Sequence, residues 1–488
     1  MRLGLLADAA GMALPTGAEE AVTGFAIDHR KVARGTVFGA FRGARFNGED
    51  FIGDAVAAGA IAVVARPEAL VEGAVHIADP EPRRAFARLA AQFFTPVPAT
   101  VVAVTGTNGK TSTVEMTRQI WRMAGERAAS IGTLGVTTPD ESVSTGLTTP
   151  DIVTFLSNMA GLAREGVTHV AYEASSHGLF QFRNEGTPVL AGAFTNLSRD
   201  HLDYHEDMEH YFAAKMRLFD EVVVDGGTAV IWTGDDWAER ACEHARGRGL
   251  QVLAVGEDAA GIGLVARWPG QLGQQLELRY AGETYSIALP LIGAYQAANA
   301  LLAAGLVLAT GGDPARTFEA LSRLQPVRGR LERAAITPAG APVYVDYAHT
   351  PDALSAAIAA LRPHVKGRLF TVFGAGGDRD EGKRAEMGEI AAAQSDMVIV
   401  TDDNPRGEDP ARIRGMVLQG ARGAREVADR REAIATAIAE AGAEDIVLIA
   451  GKGHEQGQIF GSGDDMRILP FDDVSVAREC AAPARSSA

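Results

Sequence analysis

The sequence has few of the features that would assign a protein to a secreted, membrane or nucleic-acid-binding class. It contains two cysteines in 488 residues, Cys242 and Cys480, which lie far apart and form neither a metal-binding nor a redox spacing. This pattern favours a reducing compartment over an oxidising one. The sequence also lacks a long lysine and arginine tract, and its formal net charge is −16. We therefore expect no nucleic-acid partner and no attraction to an acidic membrane surface.

Long apolar runs and internal repeats are absent as well. The start, MRLGLLADAAGMALP, faintly resembles a signal peptide, but Asp8 interrupts its short apolar run. No later stretch is long and apolar enough to span a bilayer. We therefore predict a cytoplasmic protein that has no membrane partner, and we expect a monomer.

The length of 488 residues is too great for one hydrophobic core and suggests about three domains. Two prolines in FTPVPAT, residues 94–100, mark a linker, and LQPVRGRLER, residues 324–333, marks a second break. Apolar strand-like runs alternate with helical segments along the chain, which indicates an α/β protein with parallel sheets and helices on both faces. We predict domains at residues 1–97, 98–326 and 327–488.

The stretch VVAVTGTNGKTSTVEM, residues 101–116, joins a buried strand to a helix through a glycine-rich loop. Gly106 and Gly109 permit backbone torsions that let N–H groups converge on an anion at the positive end of the helix. Lys110 would reach the β- and γ-phosphates of a nucleotide, and the Thr111 hydroxyl would hold magnesium. The usual phosphate-loop spacing needs glycine where Val104 stands, so the match is to a shortened variant, T-G-T-N-G-K-T.

Other polar clusters also follow apolar strands, and ligands of open α/β sheets bind at such strand ends. Glu173 after THVAY could coordinate magnesium, or it could be an exposed strand-end residue. His201 in SRDHLDYH could be a metal ligand or a hydrogen-bonded turn residue. Lys215 lies in the apolar stretch HYFAAKMRLF, and its spacing alone predicts no catalytic role.

Taken in order, TGTNGKTS, GLTTPD, EASSHGL, FTNLSRDHLDYH, LIGAYQAANALLA, VRGRLE, DYAHTPDAL, GGDRD, TDDNPR and GKGHE resemble the ATP-dependent Mur ligases across nearly the whole chain. The resemblance implies an N-terminal domain for the UDP end of the substrate, a central P-loop ATPase-type sheet, and a C-terminal Rossmann-like doubly wound sheet for the amino acid. It is strongest to members that add meso-diaminopimelate to UDP-N-acetylmuramoyl-L-alanyl-D-glutamate (the UDP-MurNAc-dipeptide) in peptidoglycan precursor synthesis. ATP would phosphorylate the glutamate carboxylate, and the diaminopimelate amine would attack the resulting acyl phosphate. Such phosphoryl transfer depends on positioning and charge neutralisation, with Mg²⁺ as cofactor.

The resemblance also implies a role for each matching residue. The catalytic residues and metal ligands would be Lys110, Thr111, Glu173, His201 and Lys215, the last as a carbamate (N6-carboxylysine). ATP would contact Gly106, Thr107, Asn108, Gly109, Lys110, Thr111, Ser112, Asn299, Arg330, Asp346 and His349. The UDP-substrate would contact Ile27, His29, Ala44, Arg45, Phe46, Thr148, Thr149, Ser175, Gln181 and Arg183. Diaminopimelate would contact Arg379, Asp403, Asn404, Pro405, Arg406, Gly451 and Glu455.

One position departs from the family pattern. Where the family usually has D-S-R near the N-terminus, this chain has IDHRKV, so His29 replaces a serine hydroxyl. An imidazole still donates a hydrogen bond to a diphosphate.

Three other functions remain open at this point. A lysine-adding Mur ligase would differ in the pocket for the amino acid. A folylpolyglutamate synthetase shares the shortened phosphate loop but would lack DNPR and the matching N-terminal domain. An ATP-driven switch protein needs the phosphate loop but has no reason to carry amino-acid-binding clusters in a separate domain.

Overall fold

The computed structural model describes residues 1–14, 17–43, 46–143, 148–200, 204–270 and 273–482. The chain forms two compact units. Unit 1 contains residues 1–262 and 301–317, and unit 2 contains residues 263–300 and 318–488. Among the described residues, no helix combines the length and the apolar character needed to cross a membrane.

The first sheet of unit 1 is small and entirely parallel, in the order β1-β2-β3-β4. Its strands are β1 (Gly24–Ala26), β2 (Thr36–Gly39), β3 (Ala60–Ala65) and β4 (Val75–Ala78). The helices of this region are α1 (Leu3–Ala9), α2 (Ile52–Ala57) and α3 (Pro82–Phe93). The apolar runs IAVVA (residues 61–65) and AVHIA (residues 74–78) correspond to β3 and β4.

The second sheet of unit 1 carries the phosphate loop. Its strands are β5 (Thr100–Thr105), β6 (Ala128–Gly132), β7 (Gly135–Thr137), β8 (Ser142–Val143), β9 (His169–Glu173), β10 (Val189–Phe194), β11 (Val223–Trp232) and β12 (Gln251–Glu257). Their order is β12-β11-β10-β5-β9-β6-β7-β8. All pairs from β12 to β6 are parallel, and β7 and β8 add antiparallel pairs at one edge.

Five helices accompany this sheet: α4 (Lys110–Met123), α5 (Ile152–Arg164), α6 (Ser176–Phe180), α7 (Met208–Arg217) and α8 (Ala238–Gly247). One hydrophobic cluster includes Leu6 of α1, Phe86 of α3, Val101 of β5 and Phe194 of β10. The core of unit 1 is therefore continuous across the two sheets.

Unit 2 holds an antiparallel group and a doubly wound sheet. The antiparallel strands are β13 (Ile262–Gly270), β14 (Gly273–Tyr280) and β15 (Glu283–Leu289). The doubly wound sheet contains β16 (Glu332–Ile336), β17 (Pro342–Asp346), β18 (Leu369–Phe373), β19 (Met397–Val400), β20 (Arg425–Glu426) and β21 (Ile446–Ala450), in the order β16-β17-β21-β18-β19-β20. Only its edge strand β16 pairs antiparallel. Strands β22 (Gly457–Phe460) and β23 (Arg467–Pro470) form a hairpin after it.

The last helices are α9 (Ala294–Ala309), α10 (Pro314–Leu321), α11 (Pro351–Leu361), α12 (Gly382–Gln394), α13 (Pro410–Gly420), α14 (Arg430–Glu440) and α15 (Asp473–Ala481). Helices α11, α12 and α13 bury residues in one hydrophobic cluster with the sheet, and α14 and α15 do so in another. Strand β18 is buried along its whole length, as expected for a parallel strand covered on both faces. The predicted α/β class with a Rossmann-like sheet is confirmed.

Candidate active site

The phosphate loop occupies the turn between β5 and α4, as the sequence predicts. Gly106 has φ 140° and Gly109 has φ 87°, which are torsions that favour glycine. A Cβ atom on Gly106 would lie 1.9 Å from Thr195 Oγ1, so the loop requires glycine there for space as well. The loop leads into the first turn of a helix of 14 residues, where backbone N–H groups favour an anion.

Two lysine ammonium groups converge on this loop. Lys110 Nζ donates to the carbonyls of Gly106 at 2.9 Å and Thr107 at 2.7 Å. Lys215 Nζ, from α7, donates to the same Gly106 carbonyl at 2.7 Å. Lys215 is 1% exposed, and burial together with the charge of Lys110 lowers its pKa well below the ordinary value, against the opposing effect of Asp200. The loop thus concentrates positive charge and holds an amine that loses its proton easily.

Side chains outside the loop hold its backbone in place. Asn196 Oδ1 accepts from the Asn108 N–H at 2.9 Å, and Thr195 Oγ1 donates to the Asn108 carbonyl at 2.6 Å. The Tyr211 hydroxyl lies 3.3 Å from Thr107 Oγ1, and the Tyr211 ring centroid lies 4.2 Å from Lys215 Nζ. Tyr211 therefore contacts both the loop and the buried lysine.

Glu173 is a buried carboxylate at the end of β9, with 2% of its surface exposed. The Thr133 N–H and hydroxyl donate to its two oxygens at 2.7 and 3.1 Å. A Cβ atom on Gly132 would lie 2.2 Å from Glu173 Oε1, so the carboxylate packs directly on glycine backbone. This oxygen and the buried hydroxyl of Thr111 are hard donors of the kind that Mg²⁺ prefers.

The remaining predicted metal ligands cannot be placed as a set. His201 lies outside the described residues. Among the residues that the structure describes, no group of three or more His, Cys, Asp or Glu side chains forms a metal site. The assignment of Thr111, Glu173, His201 and Lys215 to magnesium therefore stays a prediction.

Four of the predicted UDP-substrate residues form one hydrogen-bonded network. Thr149 Oγ1 lies 2.9 Å from Ser175 Oγ and donates to the Glu173 carbonyl at 3.0 Å. Arg183 Nη1 donates to the Thr149 carbonyl at 2.9 Å, and its other nitrogens donate to Gln181 Oε1 at 2.7 and 3.1 Å. The UDP-substrate network and the metal-ligand candidate Glu173 are thus adjacent.

Two cavities open beside this network. One has a volume of about 70 Å³ and is lined by Ile27, Gln181 and Arg183 among others. The other has about 520 Å³ and also reaches Gln181, together with Arg83 and Arg217. Arg83 and Gln181 line both cavities.

The other predicted UDP-substrate residues lie at separate places. His29 stacks on Phe51, with ring centroids 4.4 Å apart and planes at 3°, and Phe46 is 75% exposed. Thr148 Oγ1 lies 3.1 Å from Thr133 Oγ1. Ala44 and Arg45 lie outside the described residues.

In unit 2, the predicted amino-acid residues after β19 and β21 come together. Asn404 Nδ2 donates to Glu455 Oε2 at 2.8 Å, and Lys452 Nζ donates to Asn404 Oδ1 at 2.7 Å and to Glu455 Oε2 at 3.5 Å. Lys452 Nζ also lies 3.9 Å from Asp403 Oδ1. Gly451 has φ 118°, and an added Cβ would lie 2.6 Å from Asp403 Oδ2. Gly451 therefore lets this carboxylate approach the backbone.

Arg406 is held in place by its own backbone and guanidinium bonds, in addition to the fixed torsion of the preceding Pro405. Its φ of 52° is in the left-handed region, and its backbone bonds Ile459 at 3.0 Å and Gly461 at 2.7 Å. Its guanidinium donates to the carbonyl of Gly377 at 2.9 Å and lies 3.4 Å from that of Asn404. Such a conformation is costly for a non-glycine residue and is common at ligand sites.

The GGDRD loop packs against the DNPR loop. A Cβ on Gly376 would lie 2.8 Å from Arg406 Nη1 and 3.9 Å from Arg379 Cγ. A Cβ on Gly377 would lie 1.9 Å from the Pro405 carbonyl oxygen. The structure therefore places the predicted arginines Arg379 and Arg406 beside the same glycine, Gly376.

The ATP residues predicted in unit 2 also cluster. The Arg330 guanidinium lies 4.6 Å from the Tyr347 ring centroid, and Tyr347 contacts the rings of His349 and His454 at 4.5 and 4.9 Å. Burial raises the pKa of Asp346 to about 6, whereas burial and nearby cations lower the pKa of His454 to about 3. Aromatic rings beside an arginine offer stacking and cation–π contacts of the kind that a nucleotide base can use.

Asn299 joins the same cluster through α9. Gln296, one turn earlier on this helix, donates from Nε2 to the Arg330 carbonyl at 2.9 Å. Asn299 itself is 4% exposed. The predicted residues from α9 and from the segment before β16 are therefore close together.

The chain matches family models over most of its length. Residues 21–94 match the Mur ligase family catalytic domain, residues 104–307 the Mur ligase middle domain, and residues 329–453 the Mur ligase glutamate ligase domain. A curated protein of Zymomonas mobilis subsp. mobilis is 61% identical over 98% of both chains. The chain belongs to the Mur ligase family.

That Zymomonas protein is named UDP-N-acetylmuramoyl-L-alanyl-D-glutamate--2,6-diaminopimelate ligase. A solved structure of a ligase with the same name has 32% identity and a TM-score of 0.74, covering 99% of this Mur ligase and 98% of the other chain. Mycobacterium tuberculosis folylpolyglutamate synthase complexed with ADP shares the fold, with 22% identity, a TM-score of 0.62 and coverage of 76% and 91%. This Mur ligase is an ATP-dependent enzyme that forms an amide bond.

Several residues of this Mur ligase site were not assigned from the sequence. Lys452 lies inside the quoted GKGHE motif, between two assigned residues, so its position was a usable signal. No sequence signal identifies Thr133 or Tyr211, because threonine and tyrosine are common in turns and helices. Arg83 follows Pro82 at the start of a predicted helical stretch, which is at most a weak signal.

Proposed function

We propose that this Mur ligase is a monomer that uses ATP and Mg²⁺ to add meso-diaminopimelate to UDP-N-acetylmuramoyl-L-alanyl-D-glutamate, with release of ADP and phosphate. The observation that carries the proposal is the 61% identity, over 98% of both chains, to a ligase named for that substrate and 2,6-diaminopimelate. The clusters around the phosphate loop, the arginine-lined cavities and the DNPR loop supply the chemistry that it requires.

In the first step, a D-glutamyl carboxylate oxygen attacks the γ-phosphorus of ATP, and ADP leaves with the electrons of the broken bond. Lys110 and the loop N–H groups neutralise the charge that spreads over the phosphoryl oxygens. Thr111, Glu173, His201 and a carbamate on Lys215 would hold magnesium, which would supply further charge neutralisation.

In the second step, the neutral amine of diaminopimelate attacks the acyl-phosphate carbonyl. The tetrahedral adduct expels inorganic phosphate, a proton leaves the nitrogen, and an amide remains. No protein nucleophile is needed, because the mixed anhydride is already activated. The protein supplies positioning and exclusion of water.

We assign the steps to three domains with the boundaries that the sequence predicts. Residues 1–97 would bind the UDP end, residues 98–326 would bind ATP and transfer the phosphoryl group, and residues 327–488 would bind the amino acid. The match of three separate family models supports this division.

The choice of amino acid follows from the charges around the DNPR loop. Diaminopimelate differs from lysine by a carboxylate beside its distal amine, and Arg406 with Arg379 offers planar guanidinium groups to it. Glu455 and the Gly451 carbonyl would take the distal ammonium. Loss of such a charged pairing is worth about 3 kcal/mol, so we expect ~100-fold better use of diaminopimelate than of lysine.

Steady-state kinetics test this assignment. Arg406→Ala should raise the Michaelis constant for diaminopimelate and leave those for ATP and the UDP-dipeptide almost unchanged. Arg412→Ala is the matched control, because Arg412 is an exposed arginine that pairs with Glu381. Equal specificity constants for lysine and diaminopimelate in the unmodified enzyme would reject the proposal in favour of a lysine-adding ligase.

The two remaining alternatives make different predictions. Phosphate release that needs neither the UDP-dipeptide nor an amino acid would favour an ATP-driven switch. Turnover of a folate with glutamate would favour a folylpolyglutamate synthetase, although the solved structure named for that activity matches only 76% of this chain.

A further inference from the structure

Arg83 lies between the two cavities of unit 1 and has no role assigned so far. It stands in the first turn of α3, directly after Pro82. The cavity of about 70 Å³ is lined by Arg83 together with Arg183 and Ile27. The cavity of about 520 Å³ is also lined by Arg83. A ligand that occupied both cavities would therefore lie beside Arg83.

The guanidinium of Arg83 is oriented without an acidic partner. Its Cζ lies 4.9 Å from the ring centroid of Phe41, and its Nη2 donates to the Arg42 carbonyl at 3.0 Å. In the described part of the chain, no carboxylate lies within ion-pair distance of it. A half-buried arginine that is oriented but not neutralised is expected where an anionic ligand binds.

The other arginines of α3 behave differently. Arg84 and Arg88 both approach Glu185, at 2.9 and 3.6 Å. Helix α3 therefore pairs two of its arginines with a carboxylate and directs a third to the cavities.

Arg183 provides a second cation at the same place. Its bonds are to the neutral acceptors Thr149 and Gln181. Burial lowers the pKa of both Arg83 and Arg183, and the charge of Arg183 lowers the pKa of Arg83 further, so the two cations lie close enough to repel. An anion between them would relieve this repulsion.

The acidic residues that line the cavities are engaged elsewhere or exposed. Asp151 accepts from the N–H groups of Val153 and Thr154 at the start of α5. Glu221 is the ion-pair partner of Arg217, and Glu81 is exposed. These carboxylates do not neutralise Arg83.

We propose that Arg83 and Arg183 together bind the diphosphate of the UDP-linked substrate, one guanidinium for each phosphoryl group. The inference rests on the proposed function, because it takes a UDP-linked substrate as the ligand. A diphosphate esterified at both ends carries one negative charge on each phosphorus, which matches two guanidinium groups in number and in planar hydrogen-bonding geometry.

The test compares Arg83→Gln with the unmodified enzyme by calorimetric binding of two ligands. The first is the UDP-MurNAc-dipeptide, and the second is its α-carboxamide at glutamate, which keeps the diphosphate but loses one carboxylate. We expect Arg83→Gln to weaken both ligands by the same ~10- to 100-fold, the loss typical of a hydrogen bond to a charged group. MurNAc-dipeptide without UDP should show no change in its specificity constant for amide formation.

Two further variants complete the design. Arg88→Gln, on the same helix, should leave both binding affinities and the specificity constant unchanged. Arg83→Lys keeps the charge but loses the planar fork of the guanidinium, so it should cause an intermediate loss of binding affinity. If Arg83→Gln is less stable to heat than the unmodified enzyme, Arg83→Lys is used for the comparison in its place.

Two results would overturn the inference. Unchanged binding of the UDP-dipeptide by both Arg83 variants would remove Arg83 from the site. If the Arg83 variants weakened binding of the UDP-MurNAc-dipeptide but not of its α-carboxamide, Arg83 would be assigned to the α-carboxylate of glutamate instead of the diphosphate. Failure of the unmodified enzyme to form the amide would instead reject the proposed function, and the calorimetric comparison would still decide the role of Arg83.

Discussion

Two lysines at the phosphate loop of unit 1 and two buried arginines of unit 2 have different partners. In unit 1, Lys110 and Lys215 both donate to the Gly106 carbonyl, and Lys215 also contacts the Tyr211 ring. In unit 2, the fully buried Arg384 pairs with Glu408 at 2.8 Å, and the fully buried Arg430 pairs with Asp473 at 2.7 Å.

This difference separates charge that binds ligands from charge that maintains the fold. Carbonyl dipoles and a ring stabilise an ammonium only partly, so the phosphate loop gains most when phosphates or another anion join it. The carboxylate pairs of unit 2 are complete without a ligand. Glu408, for example, also accepts from the N–H of Asp378 at 2.6 Å, and Asp378 Oδ2 accepts from the Gly407 N–H at 3.0 Å, next to Arg379 and Arg406.

The largest effect should follow from removing the buried Lys215. Its neutral amine would attack CO₂ and, after loss of a proton, would carry a carbamate whose two oxygens would hold magnesium. Lys215→Ala should therefore lower kcat by about 1,000-fold, as loss of electrostatic stabilisation of a transferring group does. Added bicarbonate with a short-chain carboxylic acid should restore part of the activity.

Phosphate release in the presence of all three substrates measures this loss. Lys366→Ala is the control, because Lys366 is exposed and should be dispensable. Full activity of Lys215→Ala would show that this buried lysine only maintains the fold and would remove the contrast between the units.

The next effect concerns stability in unit 2. Arg430→Met leaves the Asp473 carboxylate buried without its partner, and we expect a loss of about 3–5 kcal/mol in the free energy of unfolding. Arg430→Met combined with Asp473→Leu removes both charges and should recover a large part of this loss. Equilibrium urea unfolding of the two variants measures the difference, and equal destabilisation by both would contradict the role given to the pair.

Asp346 is a buried carboxylate of unit 2 that its surroundings do not fully neutralise. Burial raises its pKa from 3.8 to about 6, against the opposing effects of Arg330 and the N–H groups of Leu331 and Ala348. The folded protein then binds this proton more tightly than the unfolded chain, so the free energy of unfolding falls as the pH rises from about 4 to about 6, by up to about 3 kcal/mol.

Asp346→Asn does not titrate and should lack this part of the pH dependence. Urea unfolding at about pH 4.5 and about pH 7 compares the two proteins. The same fall in stability between these pH values in both would show that Asp346 is already ionised at low pH in the folded protein.

The parts of the molecule that depend on neighbouring residues could be predicted from the sequence. The strand, loop and helix in residues 101–116 became β5, the phosphate loop and α4, because a buried parallel strand and a glycine turn are specified locally. Strand β19 covers the apolar run MVIV, and the DNPR residues stand at its carboxyl end. Arg379, Arg406 and Glu455 were assigned to the amino acid through the family resemblance, and their shared role stays a prediction.

The parts that depend on distant pairing could not be predicted. Strands β14 and β15 alternate buried and exposed residues over short stretches, so no continuous apolar run marks them. Arg430 and Asp473 are 43 positions apart, and nothing near either residue distinguishes a buried ion pair from a solvated charge. The GKGHE motif signalled Lys452 itself but not its acceptor Asn404, which lies 48 positions away.

The smallest effect should come from the neighbour of Arg430 on the same helix. Arg431 pairs with Glu479 and thus also joins α14 to α15, but the two side chains are 53% and 59% exposed. Water and salt screen such a pair, and its formation costs side-chain entropy, so Arg431→Ala should shift the thermal midpoint by less than about 1 °C. Thermal unfolding of Arg431→Ala and of Arg430→Met therefore compares two ion pairs that join the same two helices. The two pairs differ chiefly in how deeply they are buried. A similar loss from both variants would mean that contacts between the helices, rather than burial of charge, determine the stability of this part of unit 2.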